Sequence, residues 1–283
     1  MKKRILAPTD FSKNAWNALT YALKLYKNDE CDFYILNAFS TKPYIIDSII
    51  VAEPGDENYD IADRQAKKGL GKILKLLELY QSNPIHKFFT LTFCGRPLDA
   101  IKKTIEAKDI DLVVMGNKGE TDAESIIYGS NAIQVMEESR NCPVLMIPKG
   151  VTYSEPKEIV FPTSYKHNFK RKELQCLYEI SKITNAKVLI LHVDNGDGLS
   201  EKQIEYKDML ADCFEGLDFS HHVLGNTSII NGLHNFVQIR GSDMVAIISE
   251  KHSFFEKIFS RSIVKDLGNN SQVPVLVMHD LTN

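Results

Sequence analysis

Apolar residues along this chain fall into short continuous runs, separated by stretches in which they recur every three or four positions. The run Ile5-Leu6-Ala7 stops at Pro8-Thr9-Asp10-Phe11-Ser12, and helical spacing then takes over at Ala15, Leu19, Ala22 and Leu23, predicting a helix over Asn14 to Tyr26. A second run covers Asp32 to Phe39. A loop over Thr41 to Tyr59 leads to a long helical pattern over Ile61 to Tyr80, whose stripe of Leu70, Ile73, Leu74, Leu77 and Tyr80 reads as core packing. Further strands are predicted at Lys87 to Phe93, Asp111 to Met115 and Cys142 to Ile147, with a helix over Ala132 to Ser139 before the last. The runs do not alternate apolar with polar, so they mark strands buried on both faces, as in a parallel sheet covered by helices.

The pattern then repeats. Ile159-Val160-Phe161 stops at Pro162-Thr163-Ser164-Tyr165, and Leu174, Leu177, Tyr178 and Ile180 follow at helical spacing within Lys172 to Thr184. Lys187 to Val193 matches the second strand, Asp243 to Ile247 matches Asp111 to Met115, and Val273 to Met278 matches Cys142 to Ile147 down to the shared Pro-Val-Leu string. Four blocks in the same order are the signature of a duplication. The polar stretch Pro148 to Pro156, punctuated by proline and glycine, separates domains at 1–148 and 156–283. Strands alternating with helices make right-handed βαβ crossovers, so the fold class is α/β: two tandem, doubly wound, open parallel-sheet domains.

Composition narrows the partners. With 283 residues, 43% hydrophobic and 25% charged, the chain is an ordinary globular protein. A net charge of −3 argues against a general nucleic-acid binder, and the basic clusters Lys2-Lys3-Arg4 and Lys166 to Lys172 read as solvated faces. No apolar run approaches the ~20 residues that span a bilayer, and the four residues Ile5 to Pro8 are too short for a signal-peptide core. The expectation is a cytoplasmic protein with no membrane partner. Five widely spaced cysteines without a Cys-x-x-Cys pair predict reduced thiols rather than disulfides or a zinc site.

The candidate chemistry lies after Asp111 to Met115. Gly116-Asn117-Lys118-Gly119 is followed by nine residues, then Gly129-Ser130-Asn131 and a helix. A loop leaving the carboxyl end of a parallel strand overlies the crevice where such sheets bind ligands. Gly129-Ser130 stands at a helix start, where unpaired N–H groups and the dipole favour an anion. Ser130 suits a phosphate or a helix N-cap, and a capped helix after a tight turn is the alternative. The string is neither a Walker loop nor a dinucleotide fingerprint. Gly69-Leu70-Gly71 lies inside a helical pattern and carries no functional weight.

These residues resemble the universal stress protein family. Gly116, Gly119, Gly129 and Ser130 match its Gly-x2-Gly-x9-Gly-[Ser/Thr] loop, Pro8-Thr9-Asp10-Phe11-Ser12 matches the end of its first strand, and Pro143-Val144-Leu145 matches the start of its last. The resemblance covers the whole chain as a tandem member and implies a Rossmann-like, adenine nucleotide alpha hydrolase-like fold. It implies ATP as ligand, with a divalent cation such as Mg or Mn on the phosphates. Asp10 is then expected at the ribose, although an N-cap role competes and Ser12 could take the cap instead. Ala38, where the family often has Val, offers backbone groups to the adenine. Gly116 and Gly119 fall to ribose and phosphates, and Gly129, Ser130 and Asn131 to the phosphates. Pro8, Thr9, Met115 and Lys118 complete the expected cofactor-binding set, with no metal-ligating side chain. The resemblance also implies pairing through last strands, so that Pro143 to Ile147 and Pro274 to Met278 join the halves as an internal pseudo-dimer, with a homodimer as a further form.

The second copy departs from the pattern. Ser164 stands where the first has Asp10, and no glycine between Ser249 and Ser262 corresponds to Gly116, Gly119 or Gly129. Phe254, Phe255 and Phe259 fill phosphate space in this reading, making the copy a packing and dimerisation element. A different anion site built from Lys251, His252, Ser260, Arg261 and Ser262 is the sharper alternative. A metal at His221, His222 and His252 is disfavoured because adjacent strand residues point to opposite faces. His192, within an apolar strand, reads as a hydrogen-bonded core histidine. Two function classes follow: an ATP-binding stress-response or signalling module, or a slow ATPase or phosphotransferase using loop residues such as Lys118, Glu120, Asp122 and Glu124. No catalytic pairing is recognisable, which favours the binding module, and a non-binding dimeric scaffold is the third reading.

Overall fold

The computed structural model describes residues 2–41, 53–80, 83–119, 129–194, 196, 198–249 and 273–280. The chain divides into two compact units, residues 1–135 and 136–283. Both are α/β, with helices packed on a mostly parallel sheet.

In the first unit, β1 (Lys3–Pro8), β2 (Cys31–Phe39), β3 (His86–Cys94) and β4 (Leu112–Gly116) lie in the order β3-β2-β1-β4, all parallel. Ile5, Leu6, Phe33, Ile35, Val113 and Val114 are fully buried, as continuous apolar runs demand of a sheet covered on both faces. Strand order reverses at β1, which has β2 on one side and β4 on the other. The connections around this point are α1 (Lys13–Leu25), α2 (Glu57–Tyr80), α3 (Pro97–Lys108) and α4 (Ser130–Glu138), whose last residues run into the second unit.

Helix α2 begins at Glu57, four residues before the predicted start at Ile61 and inside the stretch expected to be loop. Its first turn is polar, with Glu57 and Asp60 placed favourably against the helix dipole, and so gives no apolar signal. Ala66, Leu70, Ile73 and Leu77 are its buried face, while Tyr80 is 41% exposed with its ring edge-on to Trp16. The sequence pattern did not mark α3, yet Leu98, Ile101 and Ile105 are buried at helical spacing, with Pro97 at the helix start.

In the second unit, β5 (Val144–Ile147), β6 (Glu158–Pro162), β7 (Lys187–Asp194), β8 (Phe219–Gly225), β9 (Met244–Ser249) and β10 (Val275–His279) lie in the order β5-β10-β9-β6-β7-β8. Its helices are α5 (Arg171–Thr184), α6 (Glu201–Cys213) and α7 (Ile229–Arg240). All pairings from β10 to β8 are parallel, but β5 and β10 run antiparallel, with Val144 opposite Val277 and Met146 opposite Val275. A parallel reading of every strand therefore needs this one correction.

The duplication extends to individual hydrogen bonds. Thr9 N donates to Leu36 O at 2.8 Å, and Thr163 N to Leu191 O at 2.8 Å. Phe11 N donates to Thr9 Oγ1 at 3.0 Å and Tyr165 N to Thr163 Oγ1 at 3.1 Å, with both aromatic residues at positive φ. Asn37 Nδ2 donates to Thr9 O at 2.7 Å, and His192 Nδ1 to Thr163 O at 2.9 Å, so His192 is the hydrogen-bonded core histidine expected of it. Asp111 accepts from Arg4 N, and Asp243 accepts from Lys157 N and Glu158 N. All five cysteines are free, and Cys31, Cys142 and Cys176 are buried. Among the described residues, no helix is long and apolar enough to cross a membrane.

Candidate functional site

The carboxyl ends of β1 and β4 open into a cleft of about 670 Å³, exposed to solvent on one side. The cleft sits at the reversal of strand order, where diverging crossovers leave a crevice.

One wall is the turn after β1. Pro8 ends the strand, and Thr9 is fixed from both sides by Leu36 O and Asn37 Nδ2. Ser12 Oγ accepts from Ala15 N at 3.1 Å and caps α1. Asp10 is exposed, and its Oδ1 accepts from Ser12 N at 3.0 Å in a local turn. The cap thus falls to Ser12, and Asp10 presents its carboxylate at the rim.

The opposite wall is the glycine loop. Gly129 N donates to Asn117 O at 2.8 Å, bringing the two ends of the loop together, and Gly129 O accepts from Ile133 N at 3.1 Å. Gly129 is buried and holds the cap position of α4, while Ser130 is the first helical residue rather than its N-cap. Helix N–H groups that lack carbonyl partners face outward at such a start. Gly116 cannot be replaced without displacement, because a Cβ would stand 2.5 Å from Asn14 Nδ2.

Of the residues expected from sequence, Pro8, Thr9, Asp10, Ala38, Met115, Gly116, Lys118, Gly119, Gly129 and Asn131 all line this one cleft. Ser130, exposed on the first turn of α4, does not. The loop residues Glu120, Asp122 and Glu124 lie outside the described residues. Sequence reasoning missed the apolar wall of Ala15, Leu36, Pro97, Ile101 and Ala132. The spacing of Leu98, Ile101 and Ile105 was the available signal for the α3 part of it. It also missed Asn14 and Asn117, which are 8% and 0% exposed.

The second unit has a smaller counterpart, about 300 Å³, lined by Pro162, Thr163, Ser164, Leu191, Val193 and Ile229. Ser164 occupies the place of Asp10, and its carbonyl accepts from Gln203 Nε2 at 2.9 Å. Where Phe11 is 43% exposed, Tyr165 is 2% exposed and hydrogen-bonded through its hydroxyl to His221 Nδ1 at 2.9 Å. Burial pushes the Tyr165 phenol up and the His221 imidazole down, favouring the neutral form of both. His222 instead meets Ser220 and the ring of Phe236, as opposite strand faces require. Lys251, His252, Phe254, Phe255, Phe259, Ser260, Arg261 and Ser262 lie outside the described residues.

The family model described as "Universal stress protein family" matches residues 1–148. Universal stress protein MJ0531 of Methanocaldococcus jannaschii is 28% identical over 147 residues, covering 52% of this chain and 82% of that protein. Universal stress protein MJ0577 of the same organism is 29% identical over 161 residues, covering 53% of this chain and 96% of that protein. The crystal structure of a universal stress protein from Archaeoglobus fulgidus DSM 4304 matches with a TM-score of 0.70 at 19% identity over 97% of each chain, a likeness of fold.

Proposed function

The chain belongs to the universal stress protein family, and from that premise we propose that its first copy, residues 1–148, is an ATP-binding stress-response or signalling module, while the copy at 156–283 binds no nucleotide. The observation that carries the reading is the convergence of ten expected residues, drawn from four separate segments, on one cleft. Asp10 serves the ribose, Ala38 the adenine, and Gly116, Gly119 and the start of α4 the phosphates. Lys118, half-buried in the cleft lining, adds positive charge beside them. The apolar wall of Leu36, Pro97 and Ile101 suits a planar base.

A divalent cation such as Mg or Mn rides on the phosphates in this reading, where it neutralises their charge. Asp10 is the one carboxylate among the described lining residues, and it is engaged by Ser12 N. That set fits a cation carried in with the nucleotide better than one held in a protein cage. It also supports binding over turnover, because no base is paired with a nucleophile among these residues. The antiparallel pairing of β5 with β10 supports last-strand association, so the two copies act as an internal pseudo-dimer.

Calorimetric titration of ATP into the nucleotide-stripped full chain tests the reading. One equivalent per chain is expected, with uptake abolished in Gly129→Val, since Gly129 is buried where the loop closes on Asn117 O. No uptake by the parent protein, or unchanged uptake by Gly129→Val, overturns it.

A further inference from the structure

One side chain ties the glycine loop to the start of α1. Asn14, in the first turn of α1, is 8% exposed. Its Nδ2 donates to the carbonyl of Lys118 at 3.0 Å and to Asn117 Oδ1 at 3.3 Å. A backbone carbonyl only accepts, so the nitrogen of the Asn14 amide, and not its oxygen, faces the loop. Asn117 is 0% exposed, and its carbonyl in turn holds Gly129 N at 2.8 Å. Two asparagines therefore connect three pieces in series: the head of α1, the turn Gly116 to Gly119, and the head of α4.

Two further observations show that packing alone does not account for Asn14. Its Oδ1 is buried without a hydrogen-bond partner among the described residues, a cost that an apolar side chain of similar size would avoid. And Gly116 fits only because it has no side chain: a Cβ would stand 2.5 Å from Asn14 Nδ2 and 2.8 Å from its Cγ. The glycine and the asparagine are complementary shapes.

We propose that Asn14 is a positioning residue of the nucleotide site. It holds the Gly116–Gly119 turn in its ligand-ready form before the ligand arrives, so that the loop is not ordered at the expense of affinity. Gly116 is glycine first to admit Asn14, and only second to admit a ligand. The inference rests on the ATP-binding reading, and the phosphate side of the cleft is where it acts.

The test compares the full-length parent with Asn14→Ala and Asn14→Ser, using ATP and adenosine as probes and amide hydrogen exchange over residues 116–119 in the nucleotide-free protein. Asn14→Ala is expected to speed exchange in that turn about tenfold and to weaken ATP about tenfold, while adenosine weakens by less than about threefold. Asn14→Ser keeps a donor and is expected to recover part of both losses. It also carries the comparison if the alanine variant fails to fold. Gly116→Ala is expected to weaken ATP less in the Asn14→Ala background than alone, since the clash with the asparagine side chain is gone and only the backbone carbon of residue 14, 3.3 Å away, stays close. Exchange and ATP affinity both within about twofold of the parent in Asn14→Ala overturn the proposal. So does an equal loss for ATP and adenosine with loop exchange unchanged, which would mark a general structural role. A parent that binds no ATP overturns the nucleotide reading and this one with it, whereas a binding parent with unaltered loop exchange in the variant overturns the positioning role alone.

Discussion

His279 shows what burial does to a single titratable group. The residue closes β10 at 5% exposure, and its Nε2–H donates to Met136 O at 2.8 Å, with Arg140 and Asp280 nearby. Burial brings its pKa down from 6.5 to about 4. The unfolded chain therefore takes up a proton between pH 6.5 and 4 that the folded chain refuses. Stability is fully present above pH 6.5 and is lost as pH falls toward 4. The loss attributable to this residue is about 3 kcal/mol. Denaturant unfolding at pH 7 and pH 5 is expected to show lower stability at pH 5, and a flatter difference in His279→Gln. His86, His221 and His222 are also lowered by burial, so the variant retains part of the slope. An unchanged slope in His279→Gln would remove the residue from the account. The glycines and Asp10 of the site were legible in the sequence at this scale, because small residues and a carboxylate at fixed offsets from a strand end carry a signal. Asn14 and Asn117 were not. Their roles depend on a contact across about a hundred positions, and a polar residue in a helix's first turn looks the same whether or not it meets a loop.

The element that brings the two walls of the cleft together is α1. Its start is defined by Ser12, whose Oγ satisfies Ala15 N, and by Asp10, whose carboxylate satisfies Ser12 N. Ser12→Ala is expected to lower stability by about 1 kcal/mol, the usual cost of a lost cap. ATP binding should stay within about twofold of the parent, since the Ser12 N–H that holds Asp10 is a backbone group that alanine keeps. Thermal melts and titration on the same preparation check both, and a clear loss of affinity would show that the cap also sets the position of Asp10. Long continuous runs made most strands readable. Helix α3 escaped because its apolar positions Leu98, Ile101 and Ile105 are few and its first turn carries Pro97 and Asp99, which read locally as a loop. With it went the apolar wall of the cleft. The family resemblance put β5 beside β10, but the direction of that pair was invisible: Pro143-Val144-Leu145 and Pro274-Val275-Leu276 state that a strand begins, and nothing in them states which way its neighbour runs.

For the whole molecule, the duplication was the most legible feature, since four strand blocks in one order survive even where side chains diverge. The second copy keeps the frame of the site and loses its contents. Its counterpart cleft is about 300 Å³ against about 670 Å³ in the first, and Tyr165 is locked to His221 where Phe11 is half exposed. Ser164→Asp restores the missing carboxylate but neither the room nor the glycines. Titration of that variant is expected to give one ATP equivalent per chain, as in the parent. A second equivalent would show that the carboxylate alone had been lacking.

The paired hydrogen bonds of Thr9 with Asn37 and of Thr163 with His192 have a hereditary consequence. When two identical subunits assemble, every inherited change appears in both at once, and a damaged ligand loop is damaged twice. With both copies encoded on one chain, a change in one is not mirrored in the other. Selection can then hold the turn that supports each sheet while releasing the loop above only one of them, and a symmetric ancestor becomes a protein whose two halves need no longer match.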